Sequence, residues 1–175
     1  MKFELKSMVR MSLLAALICV SSYISFSIGT VPISAQTLVI MIVGLMLNPK
    51  EAGVTVGIYI LLGAIGLPVY SNGSSGLGIL FGPTGGYIWG FLIGAVAISH
   101  IKNLNKSILN YAIACFIGGI LIIYAMGAAG LMIVAKMSLD KALLVGVYPF
   151  LIGDIAKIVV AIIIVNRIEK QIGSI

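Results

Sequence analysis

Charge is what this chain mostly lacks. Only 9 % of its 175 residues are Asp, Glu, Lys or Arg, against about 25 % in a soluble domain. The stretches 11–49, 52–99 and 107–135 hold none at all. Hydrophobic residues reach 61 % and mean hydropathy is +1.20. A water-soluble globular domain is excluded, and the composition reads as an all-α integral membrane protein with a single transmembrane domain over 1–175. Cysteine is nearly absent too: Cys19 and Cys115 each lie inside an apolar run, as small packing residues and not as a disulfide framework or metal-ligand pattern. The net charge of +6 needs no nucleic-acid partner, because membrane topology and anionic lipid account for it.

Other absences exclude chemistry. No Walker A pattern occurs; Asn105, Lys106 and Ser107 follow no glycine of the required kind, so ATP is not hydrolysed by that route. Gly73-Ser74-Ser75-Gly76 has the spacing of a rhomboid-type protease motif. Such a serine needs a base within about 3 Å. The one histidine, His100, stands about 24 Å of helix away, at the other membrane face.

Six spans fit the apolar blocks, at about 8–28, 36–48, 50–67, 83–101, 107–135 and 141–166. The second is short, about 20 Å of helix against a hydrocarbon core of about 30 Å. Asn48-Pro49 ends it, because proline disfavours helix in the residue before it. Such a short helix is tolerated only where protein covers its backbone ends. A four-span arrangement, with the second and third segments as a re-entrant hairpin, is the alternative. With both termini cytoplasmic, Lys2, Lys6, Arg10, Lys50, Lys102, Lys106, Arg167 and Lys170 fall inside. Lys136 and Lys141 fall outside, as the positive-inside rule expects. The basic start (Lys2, Lys6, Arg10) followed by an apolar stretch is read as the first retained helix and not as a signal peptide.

That topology puts two unusual segments on the outer side, Gly29 to Gln36 and Gly66 to Tyr87. The second is too glycine-rich for a helix and too apolar for a solvated loop, and Ile79, Leu80 and Phe81 within it suit a packed lid. Gly86, Gly90 and Gly94 recur at four-residue spacing on the fourth span, and Gly53 and Gly57 on the third, as close-packing positions. Ser12, Ala16 and Val20 form a small-residue strip on the first span, as do Ala15 and Cys19.

Against this background Asp154 and Lys157 stand out. They are the only charges between Lys141 and Arg167, in the middle of the sixth span. A charge at bilayer depth costs about 2.5–3.5 kcal/mol on insertion scales, so it has a partner or a role. Three residues apart, they share one helix face. Either they form a structural ion pair that fixes helix packing, or they are a polar clamp for a ligand. Gly153 and Pro149 favour the clamp by opening space and allowing a kink. Asp154 then accepts from ligand N–H groups and Lys157 donates to a carbonyl or carboxylate.

Four stretches in order, Val31-Pro32-Ile33-Ser34-Ala35-Gln36-Thr37-Leu38, Gly63-Ala64-Ile65-Gly66-Leu67-Pro68-Val69, Gly82-Pro83-Thr84-Gly85-Gly86-Tyr87 and Gly153-Asp154-Ile155-Ala156-Lys157, resemble the BioY family. These are the biotin-specific substrate-binding (S) components of energy-coupling factor (ECF) transporters. The resemblance spans almost the whole chain. It implies a six-helix S-component fold, a biotin site near the outer face, and no cofactor or enzymatic activity. It also implies partnership with a transmembrane coupling protein and two ABC-type ATPases. Carried over residue by residue, Asp154 and Lys157 become the polar anchors of biotin. Gln36, Ser74, Gly82, Thr84 and Tyr87 join them at the ligand, with Tyr70 and Phe81 as further apolar walls. Ser12, Ala16 and Val20 become the contact with the coupling protein. The position after Tyr87, an arginine in some relatives, is Ile88 here, which leaves the partner of biotin's carboxylate open. Other function classes remain: a proton- or ion-coupled secondary transporter with Asp154 as carrier, and a purely structural membrane protein.

Overall fold

The computed structural model describes residues 4–27 and 31–172. Lys2 of the basic start, and Gly29 and Thr30 of the first outer segment, lie outside them. The first helix, α1 (Leu5–Ser21), is shorter than its apolar run. Serine hydroxyls stop it: Ser21 Oγ donates to the Ile18 carbonyl and Ser22 Oγ to that of Cys19, both at 2.7 Å. Side chains that bond nearby carbonyls in this way compete with the helix ladder. The chain then enters strand β1 (Ser25–Ser27), paired antiparallel with β2 (Pro32–Ser34) in the register Ser25 with Ser34 and Phe26 with Ile33. The all-α expectation is corrected at this hairpin, and the first span ends seven residues before 28.

Helix α2 (Gln36–Met46) is as short as expected and nearly buried all round. Its last carbonyls would be orphans in the buried core. Two side chains from α5 (Gly85–Lys102) answer them. Ser99 Oγ donates to the Leu47 carbonyl at 2.6 Å, and Lys102 Nζ to that of Leu45. Asn48 then opens α3 (Pro49–Ala64) with a capping box: its side chain accepts from the Glu51 N–H, and the Glu51 carboxylate from the Asn48 N–H. Proline follows at the first helical position, where its missing N–H costs nothing. Glu51 also accepts from Ser7 Oγ, tying α3 to α1.

The glycine-rich segment 66–87 is not helix-free. It contains a 3-10 turn at Ser71–Gly73 and a one-turn helix, α4 (Leu77–Leu80). Helix α5 is central and packs on α2, α3 and α6 (Ile108–Val134). Its glycine row is the reason: a Cβ on Gly86 would stand 2.1 Å from the Met126 carbonyl oxygen, and one on Gly94 2.5 Å from that of Gly118. On α3, Gly53 approaches Val96 while Gly57 meets nothing within 4 Å, so only the first is a packing position. Within α6, Cys115–Ile122 widens to a π-helix, a local underwinding that accommodates an inserted residue.

The stretch 141–166, expected as one span, breaks. Helix α7 (Leu139–Gly146) ends, Val147 leaves helical geometry, and α8 (Tyr148–Ile172) starts anew. Pro149 therefore opens a helix and does not kink one. The freed Gly146 carbonyl accepts the Tyr87 hydroxyl at 2.7 Å, as backbone unwound away from water requires. Among the described residues, α6 (Ile108–Val134) and Tyr148–Gln171 of α8 are long and apolar enough to cross a membrane, with mean hydropathies of 2.3 and 2.2.

Candidate ligand site

At the hairpin end of the bundle six parts of the chain enclose a cavity. The hairpin contributes Val31, Pro32 and Ser34, and α2 gives Thr37. The 66–84 segment gives Tyr70, Ser71, Ser74, Ile79 and Thr84. Helix α5 adds Tyr87, Ile88 and Phe91, α6 adds Ile123 and Tyr124, and α8 adds Phe150, Asp154 and Lys157. Aromatic and aliphatic walls with a few convergent polar groups are the usual make-up of a small-molecule site.

The polar groups form one network. Lys157 Nζ lies 2.7 Å from Asp154 Oδ1 on the same face of α8, and donates also to Thr37 Oγ1 and the Ser34 carbonyl, both at 2.8 Å. Thr37 Oγ1 donates to Asp154 Oδ1 at 3.0 Å, and the Tyr124 hydroxyl to Oδ2 at 2.7 Å. Asp154 is 2 % exposed. A buried ion pair holds only where good geometry and further hydrogen bonds offset desolvation, and this network supplies both. Three donors reach a carboxylate with about four lone-pair positions. The remaining one is on Oδ2.

Five of the expected site residues line this cavity: Asp154, Lys157, Ser74, Thr84 and Tyr87. Tyr87 offers its ring, its hydroxyl being spent on Gly146. Ser74 Oγ donates to the Ser71 carbonyl at 2.9 Å. Tyr70 lines the cavity and is nearly fully buried, its hydroxyl donating to the Ile60 carbonyl at 2.8 Å; burial pushes its phenol above the usual tyrosine range. Gln36 and Gly82 do not line it. Gln36 sits one layer behind the wall, fully buried. Gly82 forms the turn between α4 and α5, where a Cβ would come 2.5 Å from the Gly78 carbonyl oxygen. Phe81 is exposed and packs beside Trp89, not on the cavity. Gly153 is exposed, about 100° around α8 from Asp154, and opens no space for a ligand.

Thr37, Tyr124, Phe91 and Phe150 escaped the sequence reading. Thr37 adjoins Gln36 in the same motif, but neighbours on a helix point differently. Tyr124 had a signal, a phenol in the middle of the uncharged stretch 107–135. Of the α1 strip, Ser12, Ala16 and Val20 are exposed, whereas Ala15 is buried and Cys19 half-buried against the core. His100 is exposed at the end of α5 remote from Ser75, so the serine motif has no base.

A sequence model of the BioY family matches residues 1–174. The chain belongs to the BioY family. It is 36 % identical over 166 residues to the biotin transporter BioY of Thermotoga maritima, covering 95 % of this chain and 97 % of that one. It is 35 % identical over 164 residues to the probable biotin transporter BioY of Pyrococcus horikoshii, covering 94 % and 96 %. The fold matches the crystal structure of the S-component for biotin from an ECF-type ABC transporter with a TM-score of 0.88 at 29 % identity, covering 95 % of this chain and 92 % of the other. As a member of the BioY family the chain is a membrane transport protein and not an enzyme.

Proposed function

We propose that the chain is the biotin-capturing S component of an ECF transporter, a multi-pass protein of the cell membrane with both termini cytoplasmic. The observation that carries this reading is the network of Asp154, Lys157, Thr37 and Tyr124 at the polar end of an otherwise apolar cavity. Biotin has a ureido ring with two N–H donors and one strong acceptor, an apolar thiophane ring, and a valerate tail ending in a carboxylate. The open position on Asp154 Oδ2 accepts a ureido N–H. Lys157 exchanges one protein partner for the ureido oxygen, a charge-assisted bond in a dry site. Tyr87, Phe91, Ile123 and Phe150 surround the thiophane ring. With Ile88 in place of an arginine, the carboxylate is left to hydroxyls beneath the outer segments, that of Ser34 and, once it gives up its bond to the Ser71 carbonyl, that of Ser74.

Release inward requires an energy source that this chain lacks. A transmembrane coupling protein and two ABC-type ATPases supply it in this reading, docked on the exposed Ser12, Ala16 and Val20 of α1. Small side chains there let a partner helix approach closely. The test is mass spectrometry of ligand released from purified protein, followed by titration of the emptied sample with biotin. Saturable, tight rebinding supports the assignment; no response to biotin overturns it.

A further inference from the structure

Gln36 is fully buried yet touches no part of the cavity surface. Its amide bridges three segments. Nε2 donates to the Tyr59 hydroxyl on α3 at 2.9 Å and to the Val69 carbonyl at 3.3 Å, while Oε1 accepts from Ser71 Oγ at 2.8 Å. The carbonyl of Val69 can only accept, which fixes the orientation of the amide. The Gln36 backbone N–H meets Ser34 Oγ at 3.4 Å. Ser34 and Ser71 both face the cavity, one from each outer cover. Between Val69 and Ser71, the Tyr70 ring packs edge-on to Tyr59 with centroids 5.6 Å apart. It occupies the place where a Cβ on Gly63 would fall, 2.2 Å away. The stretch 69–71 is therefore seated on α3 twice, by Tyr70, whose hydroxyl donates to the Ile60 carbonyl, and through the Gln36–Tyr59 pair.

We infer that Gln36 is a positioning residue that latches the 69–76 cover over the bound ligand, with Tyr59 as its anchor. This rests on the proposed biotin site. A ligand leaving outward past Ser71 and Ser74 must wait for the cover to lift, so the latch acts on dissociation. The test compares Gln36→Leu and Tyr59→Phe, the second keeping the ring and its contact with Tyr70. Radiolabelled biotin should dissociate about fivefold faster per hydrogen bond lost, with association nearly unchanged. The double variant should be less than additive, since both act through one contact. Amide hydrogen exchange of the ligand-free protein should quicken in 69–76 and nowhere else. An unchanged dissociation rate, or exchange that quickens evenly over the whole chain, overturns the latch. If the wild-type protein binds no biotin, the site assignment fails by itself. The exchange comparison then decides the latch alone, for or against.

Discussion

Tyr124 reaches across the cavity from α6 and donates its phenolic hydrogen to Oδ2 of Asp154 on α8, at 2.7 Å. The carboxylate is thereby held from two sides, because Lys157 and Thr37 both bond Oδ1. Tyr124→Phe removes one donor and keeps the wall. Biotin affinity should fall by about 1 kcal/mol, the worth of one hydrogen bond, with little change in melting temperature. Titration of the variant measures it; an unchanged affinity would release Tyr124 from any part in orienting Asp154.

Lys157 separates architecture from binding. Lys157→Met leaves a buried carboxylate unpaired, which should cost about 3–5 kcal/mol of stability. Adding Asp154→Asn removes that charge and should restore the melting temperature. Biotin binding should stay lost in the double variant. Recovery of binding together with stability would make the pair purely structural.

The glycine row offers a paired test of packing. Gly86→Ala places a methyl against the Met126 carbonyl and should destabilise by about 1–3 kcal/mol. Gly57→Ala meets open space and, inside a helix, should stabilise by about 0.5–1 kcal/mol. Thermal unfolding in detergent reads both. Equal effects would remove the α5–α6 close approach as the cause.

Coupling is tested on α1. Ala16→Leu enlarges an exposed position, so biotin binding by the isolated chain should persist while uptake by cells is lost. Deleting the partner ATPases should have the same effect on uptake. Uptake that survives their loss and instead follows the proton gradient would favour a secondary transporter.

What could be read in the sequence follows from how local its cause is. The α2–α3 boundary was legible because Asn48, Pro49 and Glu51 carry their own capping chemistry. Asp154 and Lys157 were legible because charge is conspicuous in hydrocarbon. The three-residue strands of the hairpin were not, since they are too short for an alternating pattern and depend on each other for pairing. Nor was the break between α7 and α8, whose freed carbonyl is answered by Tyr87, 59 residues away in sequence. Gln36 was placed in the right region and on the wrong side of the wall. A motif fixes which stretch matters, but the face each side chain takes depends on the helix phase set by its neighbours.

The π-helical turns at Cys115–Ile122 have a consequence for how this chain can vary. Each residue of an α-helix advances about 100° around the axis, and the widened stretch absorbs one residue's worth of that rotation just ahead of Tyr124. Dropping a single residue from the stretch would restore regular winding and stay nearly neutral in hydropathy. It would leave everything downstream in phase, with Tyr124 still opposite Asp154 and the Gly127 and Gly130 side still against α5. Length in this segment therefore has a slack that composition does not reveal: one residue can be lost here without loss of phase, whereas a deletion from the regular helix on either side turns Tyr124 away by about 100°.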